Sequence, residues 1–277
     1  MLMRVIIVLS VAAAAGICAW GGGFAGLSWL WRLPLGFAGS FLALIAAAFL
    51  VLWISCAFVR LDREQTQDSP YFRFLMKLYT PAILSILLTR VEASGLEKTP
   101  QSGRFLLVCN HLSDLDPVVL MSHFPDSQLA FISKRENQNM FIVGKVMHRL
   151  LCQMINREND REALKTIIRC INLVQEDKVS IAVFPEGYTS LDHLLHHFRN
   201  GVFKIAQRTK IPIVVCTVQG TEQILHNVLR LRPTRVKLHL LDVMEAEEYA
   251  HLSATEIGTR VHDLMARDLG PDRVAES

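Results

Sequence analysis

The chain has 277 residues, 51% of them apolar, and a formal net charge of only +3. Residues 1–59 contain two charged side chains, Arg4 and Arg32, so residues 60–277 carry the other 53 of 55. This composition excludes a disordered chain, a plain cytosolic domain and a nucleic-acid binder that relies on a strong basic field. We expect one soluble domain with its own core, attached to a membrane.

Two uncharged stretches open the chain. Residues 5–20 are followed by glycines at 21–23, and residues 35–59 form the second stretch. At 1.5 Å per residue, each stretch can cross or dip deeply into a hydrocarbon core of about 30 Å. The connector has an interfacial composition and a proline expected to end a helix: Trp29, Trp31, Arg32 and Pro34. Residues 1–60 therefore predict a membrane hairpin of two hydrophobic helices.

The distribution of positive charge predicts the orientation of this hairpin. Arg4 and the amino terminus precede it, only Arg32 lies between the two stretches, and four cations follow: Arg60, Arg63, Arg73 and Lys77. The excess of cations outside the connector places both ends and the soluble domain in the cytoplasm. The competing interpretation is a cleaved signal peptide, with alanines at 12–15 near the cleavage site.

Residues 61–90 connect the hairpin to the soluble domain. Within them, residues 69–89 mix aromatic and basic side chains and then become apolar. Such a segment either lies along the membrane surface with its cations toward anionic headgroups, or packs on the domain as a helix. The sequence does not separate these alternatives.

From residue 91 to 277 the pattern indicates an α/β domain. Short runs rich in Val, Ile and Leu alternate with longer polar-patterned segments, which predicts a largely parallel sheet covered by helices on both faces. The expected strands are residues 91–94, 105–109, 129–132, 153–155, 181–184, 213–218 and 236–241. The expected helices are residues 117–124, 139–150, 160–175 and 201–208, and residues beyond 271 are expected to fray.

Cysteines and clustered histidines are the first places to look for a metal. The six cysteines lie in apolar contexts without paired spacing, which is typical of small core residues in a reducing compartment: Cys18, Cys56, Cys109, Cys152, Cys170 and Cys216. His193, His196 and His197 share a short segment, but without a His-Glu-x-x-His motif a solvated or membrane-facing patch is favoured over a metal site. Glycine-rich phosphate loops, dinucleotide fingerprints and Gly-x-Ser-x-Gly elbows do not occur.

The segment from Val108 to Pro117 carries the clearest chemical signal. His111 and Asp116 are separated by four residues, between a predicted strand and a predicted helix. In such a turn the carboxylate can hold one imidazole nitrogen while the other faces a substrate and takes its proton. The alternative is that Asp116, followed by proline, merely caps the helix.

Four ordered blocks, spanning about residues 91–220, resemble those of the glycerolipid acyltransferases, the family of 1-acylglycerol-3-phosphate acyltransferases. The first is the Asn-His-x4-Asp motif at Asn110, His111 and Asp116. The second is Ser-Lys-Arg-Glu at 133–136 with Gly144 and Ile-Asn-Arg at 155–157, and the third is Phe-Pro-Glu-Gly-Tyr-Thr-Ser at 184–190. The fourth is Ile-Pro-Ile-Val at 211–214, and residues 198–204 resemble the stretch that usually follows the third block.

The resemblance implies the α/β fold of that family and direct acyl transfer. His111 would act as general base on a lysophospholipid hydroxyl and Asp116 would orient it, without a covalent acyl-enzyme or a cofactor. It also implies a substrate-binding set in which cations hold the acceptor phosphate. That set comprises Asn110, Lys134, Arg135, Arg157, Glu186, Gly187, Ser190, Arg199 and Lys204.

One position departs from the family pattern. After the glycine of the third block the family usually has Thr-Arg-Ser, whereas this chain has Tyr188, Thr189 and Ser190. The arginine expected to hold phosphate is therefore absent, and Arg199 and Lys204 are the candidates to replace it. The departure bears on the identity of the acceptor more than on acyl transfer.

The sequence thus predicts a membrane-bound acyltransferase of phospholipid biosynthesis. It would transfer an acyl group from acyl-CoA or acyl carrier protein to the 2-hydroxyl of 1-acylglycerol-3-phosphate, giving phosphatidate. The expected partners are the membrane lipid acceptor, the thioester donor and, as one form of donor, acyl carrier protein; neither a metal nor a nucleic acid is expected. The alternatives are acylation of another lysophospholipid and, in a different class, a non-catalytic lipid-binding or scaffold protein.

Overall fold

A computed structural model of the chain describes residues 1–20 and 27–275. Two compact units are present, Met1–Arg60 and Leu61–Ser277. The glycines at 21–23, expected to connect the two hydrophobic helices, lie outside the described residues.

The first unit contains helices α1 (Leu2–Trp20) and α2 (Trp29–Ala57), packed together. The face of α1 that is buried repeats every fourth residue: Ile6, Ser10, Ala14 and Cys18. Both helices are long and apolar enough to cross a membrane. The expectation that Pro34 ends a helix was wrong, because α2 begins before it and continues through it. A proline near the start of a helix removes one backbone hydrogen bond and leaves the rest of the helix intact.

The second unit begins with helix α3 (Pro70–Ile86), capped by Ser69. Its inner face packs on the domain through Phe72, Leu75, Ala82 and Leu84. Arg73 is bound within the domain: its Nε pairs with Asp68 Oδ2 at 2.9 Å and its Nη1 donates to the Leu129 carbonyl at 2.7 Å.

A seven-stranded sheet forms the centre of the domain, in the order β1-β7-β6-β2-β5-β3-β4. Strands β2 to β6 are mutually parallel, whereas β6 and β7 are antiparallel and β1 runs parallel to β7. The bounds are β1 Thr89–Ser94, β2 Leu106–Cys109, β3 Leu129–Lys134, β4 Gln153–Ile155, β5 Ser180–Val183, β6 Ile213–Gln219 and β7 Thr234–Met244. All seven predicted strands are thus present and the α/β prediction is confirmed.

Helices cover the sheet: α4 Asp116–His123, α5 Phe141–Arg149, α6 Asp160–Gln175, α7 Lys204–Thr209, α8 Ile224–Val228, α9 Ala246–Tyr249 and α10 Ala254–Leu269. Helix α6 has its predicted bounds. A 3-10 turn, Arg135–Asn139, precedes α5 in the segment predicted as 139–150, and another, Asn200–Phe203, opens the segment predicted as 201–208. The prediction of a frayed tail was wrong for residues 272–275, because Leu195 donates to the Arg273 carbonyl and accepts from the Ala275 N–H; residues 276–277 lie outside the described residues.

We call the edge at which β2 to β6 end the carboxyl edge. Parallel strands present their carboxyl ends together, so the loops that follow β2, β3, β5 and β6 all emerge there. The motif residues follow β2 and β5, which are neighbours in the sheet. The topology alone therefore brings the first and third blocks together.

Candidate active site

Asn110 determines how the chain leaves β2. Its side chain is buried and pairs with the backbone of Val218 in β6, donating Nδ2–H to the carbonyl at 3.0 Å and accepting the N–H at 2.8 Å. This amide continues the pairing between β2 and β6 after β2 has ended. The turn that carries His111 is consequently anchored to the neighbouring strand.

His111 and Asp116 are in direct contact. The Nδ1 of His111 lies 2.8 Å from Asp116 Oδ2, which also accepts the backbone N–H groups of Leu112 and Ser113. Asp116 is completely buried, and its Oδ1 has no hydrogen-bond partner among the described residues. The carboxylate does not cap α4, of which it is the first residue. It turns back onto the loop instead.

The other nitrogen of His111 points to the third block. A carboxylate only accepts hydrogen bonds, so Nδ1 carries the proton and Nε2 is an acceptor. The Thr189 hydroxyl lies 3.1 Å from Nε2, and the Phe184 ring stacks on the imidazole at 4.1 Å. The imidazole, 13% exposed, is thereby held with a basic nitrogen directed toward a hydroxyl.

Glu186 lies beneath this arrangement and supports its backbone. One carboxylate oxygen accepts the His111 N–H at 2.9 Å, and the other accepts the His196 N–H at 3.1 Å. Burial raises the pKa of Glu186 from an ordinary 4.5 to about 7, against the opposing effect of these two donors. Ser190 is also buried and donates its N–H to the His111 carbonyl at 2.9 Å.

Three of the predicted cations line one cavity of about 360 Å³: Arg157, Arg199 and Lys204. Arg199 donates from Nη1 to the Arg157 carbonyl at 3.3 Å. Burial, and then repulsion from Arg199, lower the pKa of Arg157. Phe184 lines the same cavity, so the ring that stacks on His111 also forms part of the wall beside the cations.

Gly187 allows Arg199 to lie where it does. Its φ is +82°, and a Cβ atom there would lie 2.9 Å from Cδ of Arg199. The side chain of Arg199 therefore passes directly over the glycine backbone.

Lys134 and Arg135 are not brought to this cavity. Lys134 is exposed at the end of β3, and Arg135, with 65% of its side chain exposed, lies 3.4 Å from Glu162. Asn110, Glu186 and Ser190, predicted to bind substrate, are buried. Asn110 is bonded to Val218 of β6, whereas Glu186 and Ser190 are bonded to the backbone of His111. Substrate binding by these three residues stays a prediction. Their contacts hold the backbone around His111 in place.

Sequence reasoning missed two residues that touch His111, namely Phe184 and Thr189. Both belong to the third block, and their spacing in the sequence does not predict contact with His111, which lies more than 70 residues earlier. Two of the three histidines considered as metal ligands contact other groups: His196 Nε2 lies 2.8 Å from Asp192 Oδ1, and His197 stacks on His262. Within residues 1–20 and 27–275, no group of three or more His, Cys, Asp or Glu side chains has metal-site geometry.

The carboxyl edge of the sheet thus holds a His–Asp pair whose acceptor nitrogen contacts a hydroxyl, and Phe184 lies between this imidazole and a cationic cavity. Such a site is suited to proton abstraction next to an anionic substrate group. Residues 90–219 match the family model described as Acyltransferase. The match covers just under half of the chain and identifies the α/β domain as an acyltransferase domain.

Curated proteins and a solved structure resemble the chain beyond this domain. A probable 1-acyl-sn-glycerol-3-phosphate acyltransferase of Mycoplasma pneumoniae is 28% identical over 204 residues, which cover 71% of this chain and 75% of that protein. The chloroplastic 1-acyl-sn-glycerol-3-phosphate acyltransferase BAT2 of Brassica napus is 31% identical over 175 residues, 61% of this chain and only 49% of that protein.

The crystal structure of the 1-acyl-sn-glycerophosphate acyltransferase PlsC from Thermotoga maritima has the same fold. Its TM-score is 0.62 at 18% identity, and the match covers 99% of both chains. The similarity in fold therefore extends over the two hydrophobic helices as well as the α/β domain.

Proposed function

We propose that the chain transfers a fatty acyl group from a thioester donor to the 2-hydroxyl of 1-acylglycerol-3-phosphate, giving phosphatidate for phospholipid biosynthesis. The observation that carries this proposal is the acceptor Nε2 of His111, which contacts the Thr189 hydroxyl. The imidazole stacks on Phe184, and Phe184 also lines the cavity that holds Arg157, Arg199 and Lys204. The names of the relatives from Mycoplasma pneumoniae and Brassica napus support the same acceptor.

In the proposed reaction the acceptor hydroxyl takes the place of the Thr189 hydroxyl at Nε2. His111 removes its proton while the oxygen attacks the thioester carbonyl, and Asp116 stabilises the imidazolium. When the tetrahedral intermediate collapses, the C–S bond breaks and the imidazolium protonates the leaving thiolate. Cys109 is no candidate nucleophile, because burial raises the pKa of its thiol well above the ordinary value.

The phosphate of the acceptor would bind in the cavity. Arg157 and Arg199 repel one another there, and a phosphate dianion between them would relieve that repulsion while accepting charge-assisted hydrogen bonds. Arg199, passing over Gly187, would supply the guanidinium that the third block lacks. This assignment explains why the arginine of the family pattern can be replaced by Thr189 here. The Thr189 side chain faces His111 rather than the cavity, so a cation at that position is not needed there.

A second acceptor class, lysophospholipids with a larger headgroup, is motivated by the same departure. A panel of acceptors separates the two with the purified full chain, labelled acyl-CoA and labelled acyl carrier protein. We expect lysophosphatidate to be the best acceptor. Equal or faster acylation of lysophosphatidylglycerol or lysophosphatidylcholine would overturn the assignment, and the donor arms decide between CoA and carrier protein.

Substitutions test the two halves of the site separately. His111→Ala and Asp116→Asn should lower kcat by roughly 10²–10⁴, the contribution of a positioned general base. Arg157→Gln should raise KM for lysophosphatidate by about tenfold or more, because one charge-assisted hydrogen bond is lost. Arg135→Gln is the matched control, since Arg135 is exposed and does not line the cavity. An equal effect of the two arginine substitutions would contradict the phosphate assignment.

We further propose the division of the chain into a membrane hairpin (1–60), a connecting segment (61–90) and a catalytic domain (91–277) facing the cytoplasm. The two apolar helices and the compact unit that ends at Arg60 support the first boundary. The excess of positive charge outside the connector supports the orientation. Protease accessibility of the domain in inside-out vesicles, compared with right-side-out vesicles, tests the orientation.

A further inference from the structure

Exposed apolar side chains are distributed unevenly over the α/β domain. The three most exposed large apolar residues lie in loops at the carboxyl edge: Leu191 at 90%, Leu229 at 85% and Leu231 at 83%. Among the described residues, no exposed large apolar side chain occurs in the loops at the opposite edge, which are residues 95–105, 124–128, 150–152, 176–179, 210–212 and 245–253. The domain therefore has one apolar edge and one polar edge.

Most of this apolar surface belongs to two adjoining segments. The connection between β6 and β7 exposes Leu225, Leu229 and Leu231. The junction between α3 and β1 exposes Ile86 and Leu88, and the Thr234 N–H that begins β7 donates to the Leu88 carbonyl at 3.0 Å. We call these five residues, with Leu191, the leucine edge.

Two leucines of this surface adopt a backbone conformation that side-chain-bearing residues rarely use. Both Leu88 and Leu231 have a φ of 52°. This left-handed conformation is unfavourable for a leucine and lowers the stability of the folded domain. The same backbone directs both side chains outward. The 2.9 Å bond from the Arg232 N–H to the Asn227 carbonyl closes the turn that holds Leu231.

Arginines are interleaved with the leucines. Arg230 and Arg232 alternate with Leu229 and Leu231, and Arg90 and Arg235 are paired neighbours at the starts of β1 and β7. Among the described residues, no carboxylate lies within 4.0 Å of these four arginines: Arg90, Arg230, Arg232 and Arg235. Alternating apolar and cationic side chains match a surface with an apolar interior and anionic headgroups.

We propose that the leucine edge is a second membrane contact, by which the α/β domain itself inserts into an anionic bilayer. A second copy of the chain fits less well, because a symmetric contact would bring the four unpaired arginines against their equivalents. The chain leaves β6 toward this surface and leaves β2 toward His111. Because β6 and β2 are parallel neighbours, the leucine edge and His111 lie at the same edge of the sheet. The proposal rests on the proposed function only in that the acceptor then lies in the same bilayer.

Fluorescence depth measurements on the full chain test the contact without relying on activity. All six native cysteines are buried, so a thiol introduced by Leu229→Cys can be labelled selectively with an environment-sensitive fluorophore. In vesicles of phosphatidylcholine and phosphatidylglycerol, we expect a blue shift and quenching by brominated acyl chains. Ser102→Cys, exposed at the opposite edge, is the matched control and should show neither.

Absence of quenching at position 229, or equal quenching at position 102, would overturn the proposal. A blue shift without lipid quenching that grows with the protein-to-lipid ratio would show contact between copies and overturn it also.

Activity provides an independent readout. Replacing Leu229 and Leu231 by Asp should lower acylation of vesicle-borne acceptor by roughly tenfold, through lost apolar burial, and leave acylation of detergent-dispersed acceptor unchanged. Phe74→Asp is the control, because Phe74 is 56% exposed on α3 but lies at the opposite end of that helix. An equal loss with both forms of acceptor, or with Phe74→Asp, would overturn the proposal. A wild-type chain inactive on lysophosphatidate would refute the proposed function and leave the fluorescence result standing.

Discussion

Replacing Glu186 by Gln removes a titratable group from beneath His111 and retains the shape of the side chain. Burial raises the pKa of Glu186 from 4.5 to about 7, while the His111 and His196 N–H groups partly stabilise its ionised form. Ionised Glu186 is therefore less stable in the folded protein than in the unfolded chain. Gln cannot ionise, so the variant lacks this pH dependence.

The magnitude follows from the difference between the two pKa values. A rise from 4.5 to about 7 corresponds to about 3 kcal/mol, at 1.36 kcal/mol per pKa unit. Because the folded pKa is the higher one, this stability is fully present below pH 4.5 and is lost as pH rises through 7. For a domain of this size, the loss amounts to a fall in Tm of roughly 6–12 °C.

Thermal unfolding of the wild type and Glu186→Gln between pH 5 and pH 8.5 in detergent tests this prediction. The wild type should lose more stability than the variant as pH rises, and the gap should stop changing above about pH 8. Glu97→Gln, an exposed glutamate on the opposite edge, is the control and should follow the wild type. Parallel curves for the wild type and Glu186→Gln would refute the reasoning.

Two further substitutions probe the supports of the site. Gly187→Ala should raise KM for lysophosphatidate by about tenfold, because its Cβ displaces Arg199 and its φ of +82° strains an alanine by roughly 1–2 kcal/mol. Gly103→Ala is the control, since Gly103 has a similar φ of +77°, a Cβ there meets nothing within 4 Å, and it lies in the loop before β2 at the opposite edge. Gly103→Ala should leave KM unchanged, and matching KM values for the two variants would contradict the role of Arg199. Asn110→Ala should lower the free energy of unfolding by about 2–5 kcal/mol, because it leaves the N–H and the carbonyl of Val218 without their partner. Denaturant unfolding measures this difference, and a decrease of less than about 1 kcal/mol would contradict the anchoring role of Asn110.

Much of the fold is readable from composition along the chain. The apolar run of β2 is buried on both faces, as expected for a central parallel strand. Helix α6 has its predicted bounds because Asn159 caps it and its buried residues recur at helical spacing. Helix α10 was missed although its signals are present, namely the capping box of Ser253 and Glu256 before an amphipathic run.

The contacts that Glu186 and Asn110 make around the site could not be predicted from the sequence in the same way. His111 and Asp116 lie in one turn, so their contact follows from local spacing. Glu186 reaches His111, and Asn110 reaches Val218, only because β5 and β6 flank β2 in the sheet. A strand order with crossovers is set by the packing of the whole domain, and no single segment encodes it.

The position of β2 between β6 and β5 also governs when the site forms during folding. Leu106 pairs with Ile181 on one side and Ile213 on the other, so β2 has no neighbour until much later parts of the chain have been made. Contacts this distant in sequence are slow to form, and an unpaired apolar strand is prone to aggregate meanwhile. In refolding, helical structure should therefore return before acyl transfer does, and activity should appear only when β6 has docked beside β2.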